Sequence, residues 1–198
     1  MPEHKNITPQ SGMVMRADRE RMLGQRGKAI WFTGLPGAGK STLAYGLETK
    51  LFVDGRLVYV FDGDNIRNGL CKDLNFSAKD RQENLRRIGE MLRLFVDSGM
   101  ICLAAFIAPM HIDREMLRDL IGKKDFIEVF VKCPLHICEN RDVKGHYKLA
   151  REGIIQGFTG VSAPYEEPLS PDIIIETDQM NIQTSINKIY DFYLRGLT

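Results

Sequence analysis

Gly34-Leu-Pro-Gly-Ala-Gly-Lys-Ser-Thr42 has the form G-x-x-x-x-G-K-[ST], a glycine loop of the kind that holds phosphate groups. Ala29-Ile-Trp-Phe-Thr33 before it is an apolar run of strand length, and Leu43, Leu47 and Leu51 after it recur at helical spacing. Strand, glycine loop and helix in that order give the pattern chemical meaning. Gly34, Gly37 and Gly39, with Leu35, Pro36 and Ala38 between them, let the main chain wrap an anion. Its N–H groups then face the ligand from the positive end of the following helix. Lys40 is placed to reach the β- and γ-phosphates and Ser41 to ligate Mg²⁺, with Thr42 completing the motif. The alternative, a glycine-rich turn with a solvated lysine, leaves both flanking elements unexplained. The pattern implies a nucleoside triphosphate.

Further along, apolar runs alternate with helical patterns. Leu57–Phe61, Ile101–Phe106, Phe126–Val131 and Ile173–Ile175 read as strands. Helices are predicted over Ala17–Leu23, after a capping box at Ser77–Asp80, over Asp113–Ile121, after Pro134, and over Ile186–Leu194. This order predicts an α/β chain with the P-loop nucleoside triphosphate hydrolase fold: a five-stranded, mostly parallel sheet with helices on both faces. Right-handed crossovers then gather the C-terminal strand ends on the ligand side.

At 198 residues the chain suits one such domain, and a net charge of +1 gives no general field for nucleic acid or a membrane surface. Cys71, Cys102, Cys133 and Cys138 have neither C-x-x-C nor zinc spacing. No stretch has membrane-spanning length and the polar start lacks a signal-peptide core, so a cytoplasmic location is the expectation. Residues 1 to about 15 are expected to be loose.

The strand ends carry the chemistry. Asp62 and Asp64 follow the second strand at i, i+2, so they share a face if that strand continues. One carboxylate can hold Mg²⁺ opposite the glycine loop and the other can orient an attacking hydroxyl. A solvated Asp-Gly turn is the competing reading, weakened by Arg67 three residues after Asp64. In the helix after Ser77, Arg81 falls on the stripe of Leu85, Ile88, Leu92 and Phe95, with Asn84 as its i+3 neighbour. Phe76 precedes this helix. A ring beside a guanidinium there suits a planar base and an anion; a snorkelling arginine over a half-buried ring is the alternative. Arg86 and Arg87 point elsewhere and read as surface. Arg141, Lys144, Lys148 and Arg151 make one basic face if their segment is helical, which reads as a lid over phosphate or as a solvated face.

Taken together, these pieces resemble the adenylylsulfate kinases. The likeness is carried by Gly34–Thr42, Asp62-Gly-Asp-Asn-Ile-Arg67, Asp73-Leu-Asn-Phe-Ser77 with Asp80-Arg-Gln-Glu-Asn84, and Phe106-Ile-Ala-Pro109. Arg141-Asp-Val-Lys-Gly145 and Gly157-Phe-Thr-Gly160 before Pro164-Tyr-Glu166 extend it, from roughly Arg19 to the C-terminus. The resemblance implies phosphoryl transfer from ATP to the 3′-hydroxyl of adenosine 5′-phosphosulfate, with Mg²⁺ on Ser41 and Asp62. It makes Lys40, Asp62 and Asp64 catalytic and puts Arg141 against the ATP base. Asp64, Arg67, Arg81, Asn84 and Lys144 would hold the acceptor, with backbone at Ile107 and Ala108 and the Gly157–Phe158–Thr159 segment. Phe76 and Phe158 would sandwich its adenine. It also implies a homodimer and a functional link to an ATP sulfurylase. The expected division is an N-terminal extension over 1–27, partly flexible with a short helix, and a kinase domain over 28–198 with a lid at about 141–160.

In one position the chain departs from the family. Many members have a serine, described as a phosphorylated intermediate, where this chain has Ala108. A methyl group cannot be phosphorylated, so direct transfer is expected. The rival reading is another small-molecule or nucleotide kinase of the same fold. A GTP switch is disfavoured because Asn187-Lys188 runs on into Ile-Tyr, without the aspartate of a guanine reader. A nucleotide-binding module without catalysis has Ala108 alone in its favour.

Overall fold

In the computed structural model, Thr8 and residues 10–196 are described; the expectation for residues 1–7 and Pro9 lies outside them. The elements run α1 (Arg16–Leu23), β1 (Lys28–Thr33), α2 (Lys40–Val53), β2 (Val58–Asp62), α3 (Gly63–Asn68), α4 (Ala78–Asp97) and β3 (Ile101–Ala105). They continue with α5 (His111–Ile121), β4 (Phe126–Lys132), α6 (Leu135–Arg141), α7 (His146–Arg151), β5 (Ile173–Glu176) and α8 (Ile182–Arg195). The strands form one sheet in the order β2-β3-β1-β4-β5, and every pairing is parallel.

The glycine-loop strand is therefore the central one. Alternation along β1 splits the core in two. Ile30 and Phe32 join Leu43, Leu47, Leu103, Val129 and the α8 residues Ile186 and Ile189 on one face. Ala29 and Trp31 join Leu85, Ile88, Leu92, Ala104 and Leu117 on the other, where Trp31 stacks on Phe106 at 5.1 Å between centroids. With both faces covered, the C-terminal strand ends are the place left for a ligand.

Three expectations need correction here. The buried stripe of α4 runs Leu85, Ile88, Leu92, Val96; Phe95 is 37% exposed. Its ring instead leans on Phe61, 5.4 Å away. The strand after Leu57 does not continue through Asp64. Asp62 closes β2 and caps α3, so Asp64 lies in the first helical turn. The capping box of α4 is half formed: Ser77 accepts from the Asp80 amide at 3.1 Å, while the Asp80 carboxylate accepts from the Asn75 amide. Among the described residues no helix is long and apolar enough to cross a membrane.

Candidate active site

The glycine loop turns from β1 into α2. Gly37 and Gly39 take positive φ, +75° and +104°, and a Cβ on Gly34 would overlap the Val131 carbonyl of the neighbouring strand. Tyr147 of α7 donates to the Pro36 carbonyl at 2.9 Å, and Thr177 after β5 donates to the Ala38 carbonyl at 2.8 Å. Lys40 folds back onto the loop, donating to Gly34 and Leu35 carbonyls at 2.9 and 2.8 Å. Burial pushes its ammonium down to about 8 from the usual lysine range.

Ser41 Oγ donates to Asp62 Oδ2 at 2.6 Å, and Asp62 Oδ1 accepts from the Asp64 amide at 3.0 Å. A hydroxyl and a carboxylate are thus side by side at the mouth of the cradle. Such hard oxygens fit Mg²⁺, which takes one or two protein ligands and fills the rest with phosphate and water. No group of three or more His, Cys, Asp or Glu suited to a metal exists among the described residues, so a cation here would depend on phosphate oxygens.

The acceptor side is assembled from distant segments. Phe76 is 67% exposed, with the Arg67 guanidinium 4.5 Å and the Arg81 guanidinium 6.0 Å from its ring centre. Arg81 donates to the carbonyls of Phe76 at 2.9 Å and Gly157 at 2.7 Å, and lies 3.4 Å from Thr159 Oγ1. Burial, with Arg67 nearby, lowers its affinity for its proton. Asn84, one turn on, is 5% exposed and its side-chain oxygen has no partner. Two guanidiniums about one exposed ring suit an anionic aromatic guest, and the orphaned Asn84 oxygen asks that guest for a hydrogen-bond donor.

Phe158 packs edge-on against Tyr147 at 5.0 Å and near His146 at 6.4 Å. The carbonyls of Ile107 and Ala108 are already taken, by Thr33 Oγ1 and Arg114 respectively, each at 2.6 Å. Ala108 has φ +40°, alone in this among the described non-glycine residues; such backbone costs roughly 1–2 kcal/mol.

The basic face expected over 141–151 is not formed. Asp142, with φ −1°, and Gly145, with φ +68°, separate α6 from α7, so Arg141, Lys144 and the α7 pair Lys148 and Arg151 do not share one helix. Arg141 donates to Thr177 Oγ1 and O at 3.1 and 2.8 Å, beside the glycine loop. Lys144 crosses the mouth to pair with Asp64, and Arg151 pairs with Glu139.

Comparison with known proteins gives this arrangement a lineage. A model of the adenylylsulphate kinase family matches residues 26–176. The chain is 52% identical to the adenylyl-sulfate kinase of Clostridium kluyveri over 187 residues, 94% of each protein. It is also 52% identical to the probable adenylyl-sulfate kinase of Bacillus subtilis, over 96% of this chain and 95% of the relative. This chain belongs to the adenylylsulphate kinase family. Among solved structures, the Mycobacterium tuberculosis APS kinase in complex with AMPPNP and APS matches with a TM-score of 0.82 and 43% identity. That match covers 85% of this chain and 98% of the other.

For this adenylylsulphate kinase, three side chains that shape the site were not foreseen. Arg87, read as surface, holds Asp73 with two bonds of 2.7 and 2.8 Å and so ties down the loop carrying Phe76. This pairing keeps Asp73 below the usual carboxylate range. Its signal was an arginine four residues after Glu83, which also bonds it. Thr177 reaches Ala38 and Arg114 reaches Glu166 across the fold, and no local pattern announces those partners.

Proposed function

We propose that this kinase transfers the γ-phosphoryl group of ATP directly to the 3′-hydroxyl of adenosine 5′-phosphosulfate, releasing ADP and 3′-phosphoadenosine 5′-phosphosulfate. The observation carrying this is the meeting, at one sheet edge, of a main-chain phosphate cradle with a guanidinium-flanked aromatic ring, joined across the mouth by Asp64 and Lys144. Family membership supports the choice of acceptor.

The donor triphosphate lies along Gly34–Thr42, with Lys40 exchanging its two loop carbonyls for β- and γ-oxygens and Arg141 against the base. Ser41 and Asp62 would hold Mg²⁺, which when bound would neutralise phosphate charge. The acceptor stacks at Phe76, with Phe158 across from it. Arg67, Arg81, Asn84 and Lys144 hold its anionic end, with backbone at Ile107–Ala108 and Gly157–Thr159 around it. Asp64 orients the 3′-hydroxyl and takes its proton as the oxygen attacks the γ-phosphorus. The bond to the β,γ-bridging oxygen breaks and ADP leaves with that electron pair. Position and charge supply the catalysis. What supports direct transfer is Ala108, buried and without a hydroxyl.

The test is a coupled assay with ATP and adenosine 5′-phosphosulfate, followed by acid quench with γ-labelled ATP. Product carrying the label, with no labelled protein, is expected. Label retained on the protein would overturn direct transfer, and a sulfate-free nucleotide or a sugar phosphorylated faster would reassign the acceptor. Self-association as a homodimer belongs to the same reading; sedimentation giving the mass of a single 22.5 kDa chain at assay concentration removes it.

A further inference from the structure

Arg114 touches neither expected substrate, yet it is one of the best-connected side chains near them. It is 3% exposed, on the inner side of α5. One guanidinium nitrogen donates to the Ala108 carbonyl at 2.6 Å. Another donates to the Glu166 carbonyl at 2.7 Å and lies 2.8 Å from His111 Nδ1. The third sits 3.0 Å from Glu128 of β4. Glu128 is itself fixed: its amide bonds Asp172 at 2.7 Å and its carboxylate meets Arg118.

The two segments Arg114 grips are also stitched to each other. The Glu166 amide donates to the Pro109 carbonyl at 2.9 Å, and the Glu166 carboxylate accepts from the His111 amide at 2.6 Å. Thr33 Oγ1 lies 3.1 Å from the Tyr165 hydroxyl while donating to the Ile107 carbonyl. Upstream of Tyr165, the chain leads back to Gly157 and Thr159, which Arg81 contacts.

We propose that Arg114 is a positioning residue for the acceptor: it pins the strained Ala108 peptide and locks it to the 163–166 segment, setting the spacing between two walls of the acceptor pocket. The proposal rests on the reading that Ile107–Ala108 and Gly157–Thr159 border the acceptor. A planar fork of donors suits this task, since it donates to two carbonyls while its charge faces the Glu128 carboxylate. Strain at Ala108 persists only while neighbours over-determine it, and Arg114 with Thr33 supplies that determination. A buried ion pair kept for stability alone would behave differently, because an apolar pair of similar volume often replaces one without loss.

That difference is the test. Arg114→Met with Glu128→Met removes the clamp and leaves no unpaired buried charge; Arg118 keeps Asp172 at 3.0 Å. Glu166→Ala, at a half-buried position, cuts the stitch from the other side. Each is measured against the wild type for KM of both substrates, kcat and thermal midpoint, and a crystal structure of the double variant is solved. A tenfold or greater rise in KM for adenosine 5′-phosphosulfate is expected from the double variant and a smaller one from Glu166→Ala. KM for ATP should stay within twofold. Arg114→Lys should recover thermal stability without recovering KM, because an ammonium cannot span all three partners. A folded double variant with wild-type KM for the acceptor, or equal rises for both substrates, overturns the proposal. If the wild type does not use adenosine 5′-phosphosulfate, the proposed acceptor fails separately. The crystal structure then decides for Arg114: release of Ala108 from positive φ supports the clamp, and an unmoved 106–110 segment refutes it.

Discussion

The two halves of the site are built by opposite strategies. The donor half is one contiguous run, Gly34–Thr42, whose shape is main chain and where a Cβ on Gly34 or Gly37 would crowd the Val131 or Cys138 carbonyl. The acceptor half comes from α3, the segment before α4, the loop after β3 and the 157–166 segment, brought together by side chains: Arg81, Arg87 and Arg114. A main-chain cradle tolerates most changes outside its few glycines and Lys40. A side-chain assembly depends on each tie, including those that never meet a ligand.

Substitutions can separate the two halves, and the largest effect belongs to the point where they meet. Asp64→Asn should lower kcat on the order of 10²–10⁴-fold, the range of a lost proton acceptor. ATP affinity should hold, and pre-steady-state binding of a fluorescent ATP analogue checks the second half of that claim. Unchanged kcat would remove Asp64 from the chemistry. Arg81→Ala comes next: losing charge-assisted bonds of about 1.5–3 kcal/mol should raise acceptor KM by roughly ten- to a hundredfold and leave ATP KM alone. Equal effects on both substrates would erase the distinction between the halves.

A pH titration sharpens the donor side. Burial lowers the Lys40 ammonium to about 8, so below that pH the free enzyme already carries the charge that a polyphosphate needs. Above it the free enzyme has lost the proton and binding must take one back. KM for ATP should therefore be flat up to about pH 8 and then rise by up to about tenfold per unit, while Lys40→Met abolishes the dependence. A flat profile to pH 10 would show that Lys40 stays charged in its loop. The smallest effect is expected at Arg87→Ala. Its partner Asp73 is largely exposed, and solvent screens such a pair, so acceptor KM should rise only severalfold. A change larger than that of Arg81→Ala would mean that loop order outweighs direct contact.

How much was legible follows the same divide. The strand–loop–helix around Lys40, the sheet's parallel character and the Arg81–Phe76 neighbourhood are all local patterns, and local patterns survive folding. The i, i+2 spacing of Asp62 and Asp64 places them on one face only if the strand continues; the Asp62 carboxylate instead captures the Asp64 amide and starts a helix. The basic face over 141–151 required an unbroken helix. Gly145 takes a left-handed turn there, and Asp142 accepts the Lys148 amide, so the helix restarts. Arg114 was silent in the sequence because Glu166 lies 52 positions away and Glu128 sits on another element; only His111, at i−3, is a local neighbour.

The contact between Lys144 and Asp64 has a further consequence for traffic through the site. It lies in open solvent, with both side chains more than half exposed, and closes a bridge from the 142–145 turn to α3. A guest passing beneath must part that bridge, and mobile ions compete for the same charges. Electrolyte should therefore act twice: easing passage by loosening the bridge, and blunting the guanidinium grip on the anion that has arrived. Turnover plotted against ionic strength should then pass through a maximum.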